Sequence, residues 1–194
     1  EVEANGWQQG LAVGARTVCE GLDCARASQV ILQDSRFIDN STRGVWLDGD
    51  QLAIERNHFV RNGGEEPDGH QILTNCTSGD PCRGLTISAN VIRETSGRDG
   101  GSCDGAAIEV IGEAIGIRID GNDLRGAPGR IRSTCEGMML GRSEDGAPTG
   151  FQRAWVRGNQ LHDAGSTAIG LTSCSECLVE NNVITQHEPV YSIA

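Results

Sequence analysis

The chain has 194 residues, which fits one domain, and a formal net charge of −11 at pH 7. This acidic balance argues against a nucleic-acid partner, whose phosphates need cationic side chains. No stretch is long and apolar enough to span a membrane, and all 16 basic residues are arginine, which excludes any mechanism that needs a lysine.

One short phrase recurs along the chain, in which alternating apolar and polar residues run into an asparagine. The clearest copy lies over 52–62. The marker positions are Asn5, Ser35, Asn57, Asn90, Asn122, Asn159 and Asn182. Subtracting successive positions gives intervals of 30, 22, 33, 32, 37 and 23 residues. A repeat of this length, built from short alternating strands, indicates a solenoid.

Each repeat offers three short strands, because a further alternating phrase follows every marker. A single coil cannot bury its apolar face alone, so the coils must stack. Asparagine at a fixed slot fits a turn residue that tolerates the left-handed conformation, and its amide can bond to the next coil. Hairpin turns would also favour asparagine, but the constant apolar flanks favour a ladder of Ser35, Asn57, Asn90, Asn122, Asn159 and Asn182.

The repeated Val/Ile-x-x-Asn-x-Ile/Leu phrase resembles the right-handed parallel β-helix family typified by pectate lyases. The resemblance covers nearly the whole chain and implies an all-β fold, a single right-handed parallel β-helix over 1–194 with about six to seven coils. In that family the asparagine turn lies between the second and third strands of a coil. The first strands then fall at 44–49, 69–75, 105–111, 137–141 and 167–172.

Neither end of the chain shows an amphipathic capping helix, and the pattern starts near a second strand and stops in a first strand. Open solenoid ends expose unpaired backbone groups. We therefore expect either part of a longer chain or a unit that stacks on a β-helix neighbour.

Eight cysteines indicate an oxidising compartment and predict a secreted, extracellular or periplasmic protein. The coil register implied by the resemblance puts Cys103 and Cys135 in one slot of successive coils, close enough for a disulfide between coils. The other six form three local pairs, which are Cys19 with Cys24, Cys76 with Cys82, and Cys174 with Cys177. Metal binding by Cys174 and Cys177 is the alternative, although zinc sites usually have a second such pair.

Enzymes that resemble this fold bind substrate along the outward face of the first strands. On that face Trp46, Leu73, Glu109 and Met139 form one row, and Asp48 stacks on Asn75. The face has few charges for a polysaccharide lyase, which weakens an enzyme prediction. The candidate catalytic residues are Glu109, Asp48, His70 and Arg61, with His70 as a general base near Arg61 and Glu109. A structural role for His70 is the alternative.

Acidic residues gather in the loops before two first strands. Glu65, Glu66 and Asp68 lie in one coil, and Asp99 and Asp104 lie in the next. Stacked loops would bring these carboxylates together, and oxygen ligands on loops suit Ca²⁺, which β-helix lyases commonly use. A solvated acidic loop is the alternative, because no defined calcium-loop spacing is present.

The catalytic signatures of the polygalacturonases and alginate epimerases are absent, so no catalytic residue is assigned by matching. The sequence predicts a secreted β-helix module that binds or processes polysaccharide, by lyase-like proton abstraction if it is catalytic. The alternative is a non-catalytic structural or adhesive β-solenoid of an extracellular assembly. The sequence does not decide whether the protein is an enzyme.

Overall fold

A computed structural model describes residues 3–5, 9–13, 27–63, 69–76, 81–95, 105–126, 135–142, 150–165 and 167–186. These residues form strands and turns without a helix, and every strand pairing among them is parallel. Parallel pairing between consecutive repeats is the arrangement that a coiled solenoid requires.

The strands, in chain order, are β1 (Glu3–Asn5), β2 (Gln9–Val13), β3 (Ala27–Ser28), β4 (Ile31–Gln33), β5 (Arg36–Ile38), β6 (Arg43–Leu47), β7 (Gly49–Asp50), β8 (Ala53–Glu55), β9 (His58–Val60), β10 (His70–Cys76), β11 (Cys82–Arg83), β12 (Thr86–Ser88), β13 (Val91–Thr95), β14 (Ala106–Asp120), β15 (Asp123–Gly126), β16 (Glu136–Arg142), β17 (Gly150–Arg157), β18 (Gln160–His162), β19 (Ile169–Leu171), β20 (Cys174–Ser175), β21 (Leu178–Glu180) and β22 (Val183–Thr185).

Strands from successive coils stack into three faces. The first-strand face comprises β2, β6, β10, the first half of β14, β16 and β19. The second-strand face comprises β4, β8, β12, the second half of β14, β17 and β21. The third-strand face comprises β1, β5, β9, β13, β15, β18 and β22. The predicted first strands are confirmed, and the short strands β3, β7, β11 and β20 between the first and second strands were not predicted.

The core consists of apolar rows that run along the stack. On the first-strand face Val45, Ile72, Ile108 and Met138 are level with one another and fully buried. On the third-strand face Phe37 and Phe59 stack with their ring centroids 5.0 Å apart. Each fully buried side chain of this size contributes roughly 1.5–3 kcal/mol to stability, so the rows favour the parallel register.

The predicted asparagine ladder is confirmed. The backbone N–H of Asn57 donates to Oδ1 of Asn90 at 2.9 Å, and that of Asn90 donates to Oδ1 of Asn122 at 3.0 Å. The same contact joins Asn122 to Asn159 at 2.9 Å and Asn159 to Asn182 at 3.0 Å. The backbone N–H of Ser35 donates to Oδ1 of Asn57 in the same way at 3.0 Å. Each asparagine thus holds the coil that precedes it in sequence.

Two details of the ladder prediction are wrong. The left-handed residue of each turn is the one before the asparagine, with φ of 52° at Asp34, 54° at Arg56 and 53° at Ala89. The slot therefore selects asparagine for its side-chain amide, which bonds both to the backbone and to the next asparagine. The weak copy at the start of the chain is also misplaced, because Asn5 pairs with Ile38. Strand β1 is accordingly a third strand.

A second buried ladder, which the sequence did not reveal, lies at the turn after the third strand. The amide of Asn40 donates to Oδ1 of Asn62 at 2.6 Å, and the amide of Asn62 donates to the carbonyl of Phe37 at 2.9 Å. In the next coil the corresponding slot holds Thr95, by extension of the register between β9 and β13. Oε1 of Gln71 accepts from the Asn62 amide at 2.6 Å instead.

Two of the predicted disulfides are confirmed. Cys76 is bonded to Cys82 with Cα atoms 5.4 Å apart, and Cys174 is bonded to Cys177 with Cα atoms 6.0 Å apart. Zinc binding by Cys174 and Cys177 is therefore wrong for this oxidised form.

The other two predicted disulfides stay predictions. Cys135 is disulfide-bonded, while its predicted partner Cys103 lies outside the described residues. The predicted bond that joins Cys19 to Cys24 is not tested, because Cys19 and Cys24 both lie outside the described residues as well.

Candidate functional site

The outward side of the first-strand face carries the residues that the sequence proposed for chemistry. Trp46, Leu73 and Glu109 are level with one another on β6, β10 and β14, and Met139 of β16 continues this row. His70 begins β10 and is level with Arg43 of β6. Because side chains alternate along a strand, this row faces away from Val45, Ile72 and Ile108 in the core.

His70 and Glu109 form a close pair on this face. Nδ1 of His70 lies 3.1 Å from Oε2 of Glu109, and the two side chains are only 5% and 1% exposed. Nδ1 also lies 3.4 Å from the backbone oxygen of Ala106 and 3.4 Å from its backbone nitrogen. In the tautomer with the proton on Nδ1, the Glu109 carboxylate orients the imidazole and leaves Nε2 as the potential base. The structure therefore brings together two of the four candidate catalytic residues.

Arg43 and Trp46 lie beside this pair, and Arg43 is absent from the sequence-based candidates. The guanidinium carbon of Arg43 lies 4.9 Å from the centroid of the Trp46 ring, a favourable cation–π distance. Nε of Arg43 and Nε1 of Trp46 are buried and have no hydrogen-bond partner among the described residues. The predicted register, which places Arg43 level with His70, was the signal that could have identified it.

The face differs from the open groove that the β-helix resemblance implied. Leu73 and Ile111 are buried although they point away from the core, and Asp48 and Glu109 are buried as well. Trp46 and Met139 are partly buried. In the described part of the chain this row is therefore a largely enclosed layer, in which Trp46, Met139 and the adjacent Arg43 keep partial exposure.

Arg61 lies at the turn after β9 and contacts neither His70 nor Glu109. Its Nε and Nη2 donate to the two carboxylate oxygens of Asp39 at 2.6 and 2.9 Å, and Nη1 lies 3.6 Å from Glu94. The hydrogen bonds from Arg61 hold the pKa of Asp39 below its ordinary value, against the opposing effect of desolvation. This arrangement resembles the neighbouring pair of Arg56 and Asp34 at the preceding turn.

Arg61→Gln is expected to raise the pKa of Asp39 toward its ordinary value of about 3.9. A carboxylate whose folded-state pKa is lowered stabilises the fold above the unfolded-state pKa and loses that contribution as pH falls through the folded-state pKa. At neutral pH the wild type should be more stable to unfolding than Arg61→Gln by less than about 1 kcal/mol, because the pair is exposed. This difference should vanish in acid. Carbon NMR titration of the Asp39 carboxyl tests this, with Arg125→Gln as the control. An unchanged Asp39 titration in Arg61→Gln would contradict it.

The predicted calcium ligands Glu65, Glu66, Asp68, Asp99 and Asp104 lie outside the described residues. Within the described ranges, no group of three or more His, Cys, Asp or Glu side chains could hold a metal ion. The described segments also contain no helix that is long and apolar enough to cross a membrane.

Comparison with known proteins adds a family assignment. A family model described as "Right handed beta helix region" matches residues 19–124, which is more than half of the 194 residues. No curated protein and no solved structure matches the chain.

Proposed function

Because the chain belongs to the right-handed β-helix family, we propose that it is a secreted module that binds polysaccharide on its first-strand face. The observation that supports this most is the Arg43–Trp46 pair, whose guanidinium carbon lies 4.9 Å from the indole centroid and whose side chains are both partly exposed. An indole with a guanidinium over it offers an apolar ring and hydrogen-bond donors together. Sugar hydroxyls supply acceptors for such donors. The disulfides support an oxidising compartment.

The His70–Glu109 pair supplies the groups for lyase-like cleavage of a uronate chain. In that reaction a base removes the proton from C5 of the uronate, the bond from C4 to the glycosidic oxygen breaks, and a C4–C5 double bond forms. The departing oxygen then takes a proton from water, and that water recovers a proton from the protonated His70. His70 is the base in this proposal, and Glu109 orients its ring through Nδ1. The side chains of His70 and Glu109 are only 5% and 1% exposed, which favours a binding module over an enzyme that cleaves the chain.

A screen against pectate, alginate and glycosaminoglycans, with and without Ca²⁺, tests the proposal. We expect binding that is weakened at least tenfold in Trp46→Ala, while Gln160→Ala, an exposed residue of the third-strand face, should bind as the wild type does. An ultraviolet signal from an unsaturated product that is lost in His70→Gln would show a lyase. If none of these chains binds or is cleaved, the polysaccharide proposal fails.

A second candidate function is a structural or adhesive β-solenoid whose final described coil stacks on the coil of a second copy. Val179 and Ile184 are level with the fully buried Val156 and Leu161, yet they are 49% and 53% exposed. In the preceding coils, the side chains at the same positions are covered by the next coil of the solenoid. Stacking another parallel coil would bury these apolar side chains and pair the open strand edges.

Sedimentation over a range of concentrations tests this second candidate. Association that weakens in the double variant Val179→Thr, Ile184→Thr would support stacking through this coil. An exposed pair on the third-strand face, Arg36→Gln with Gln160→Ala, serves as the control. A protein that stays monomeric at all concentrations would contradict it.

A further inference from the structure

An apolar platform lies on the outside of the second-strand face, away from the site described above. Trp155 of β17 is 37% exposed, whereas its neighbours Ala154 and Val156 are fully buried in the core. Leu178 of β21 is level with Trp155 and is 44% exposed. Stacked parallel strands lie about 4.8 Å apart, so the two side chains form one continuous surface.

Planar polar groups border this platform. Nη2 of Arg118 lies 3.0 Å from Oδ2 of Asp120. Arg157 contacts the same carboxylate, with Nε at 3.1 Å from Oδ1 and Nη2 at 3.3 Å from Oδ2. Arg118 is level with Trp155, Asp120 is level with Arg157, and Arg157 is level with Glu180. These donors and acceptors therefore lie on the strand positions next to Trp155 on the same outward side.

The charge balance of this border determines which ligand fits. The guanidinium groups of Arg118 and Arg157 both contact Asp120, and Glu180 is level with Arg157, so the two positive charges are balanced by two carboxylates. The platform suits an uncharged ligand with one apolar side and a polar rim.

We propose that the Trp155–Leu178 platform binds a neutral polysaccharide through the C–H face of a pyranose ring. The C–H groups carry a partial positive charge and pack on the negative face of the indole. The ring hydroxyls then donate to Asp120 and Glu180 and accept from Arg118 and Arg157. This surface is on a different side of the coil from Arg43 and Trp46 and does not depend on the function proposed for them.

The test is binding to a soluble β-glucan, an arabinoxylan and a galactomannan, with polygalacturonate as the anionic arm, by affinity electrophoresis and titration calorimetry. At least one neutral chain should bind, with little dependence on salt. Trp155→Ala should weaken that binding at least tenfold, and Arg157→Gln should weaken it several-fold. Arg125→Gln, an exposed arginine of the third-strand face, is the matched control and should bind normally. Equal melting temperatures would show that the variants are folded.

Three results would overturn the inference. The first is that none of the three neutral polysaccharides binds. The second is that Trp155→Ala binds as tightly as the wild type. If binding were then lost in Trp46→Ala, the glycan would belong to the first-strand face. The third is that polygalacturonate binds more tightly than every neutral chain and depends on Trp155, which would refute the neutral ligand class.

Discussion

Replacing Asn90 with alanine is expected to lower the free energy of unfolding by roughly 3–5 kcal/mol and the melting temperature by about 10 °C. Oδ1 of Asn90 accepts from the backbone and side-chain amides of Asn57 at 2.9 and 3.2 Å. Its Nδ2 donates to the carbonyl of Ile54 at 2.8 Å and to Oδ1 of Asn122 at 3.0 Å. Alanine would leave the Asn57 N–H and the Ile54 carbonyl buried without these bonds.

Chemical denaturation and calorimetry measure the Asn90 effect. Gln160→Ala is the control, because it removes an exposed amide from a neighbouring strand of the same solenoid and should change stability by less than about 0.5 kcal/mol. If Asn90→Ala melted at the wild-type temperature, the ladder would not be what holds the coils in register.

Replacing Gln71 with methionine is expected to destabilise the fold by roughly 3 kcal/mol, although methionine has a similar shape. Gln71 is fully buried and makes three hydrogen bonds with Asn62. Its Oε1 accepts from the backbone N–H of Asn62 at 3.3 Å and from the side-chain amide at 2.6 Å, and its Nε2 donates to the Asn62 carbonyl at 3.1 Å. A thioether replaces none of these bonds.

Gln152→Met is the control for Gln71→Met, since it makes the same chemical change on an exposed side chain and should be nearly neutral. A sharper test is rescue. Gln71→Ala removes the side chain that bonds to Asn62. Adding Thr95→Asn would place an amide level with Asn62 in the next coil, so it should continue the Asn40–Asn62 ladder and restore part of the lost stability. Equal unfolding free energies for Gln71→Met and the wild type would refute the role of Gln71.

The candidate site was partly predictable from the sequence. Register alone placed Glu109 on the outward row and His70 at the start of a first strand, because stacked strands keep constant offsets. The contact between His70 and Glu109 joins β10 to β14. It depends on the side-chain conformation of His70 at the first position of β10, which register does not determine. The pairing of Arg61 with Asp39 was not predictable, because the identity of the residues does not determine the turn geometry that orients an exposed arginine.

The sequence by itself determined the repeat, the three strands of each coil, the main asparagine ladder and two local disulfides. These features follow from period-two alternation and from short offsets that each coil repeats. The tertiary structure decided that the left-handed residue is the one before the asparagine, since that position holds Asp34, Arg56 and Ala89 as well as Gly121, Gly158 and Asn181, which share no side-chain chemistry. It also decided that Gln71 continues a second ladder and that Leu73 and Glu109 of the outward row are buried. Both depend on packing between residues of different coils, which no local pattern encodes.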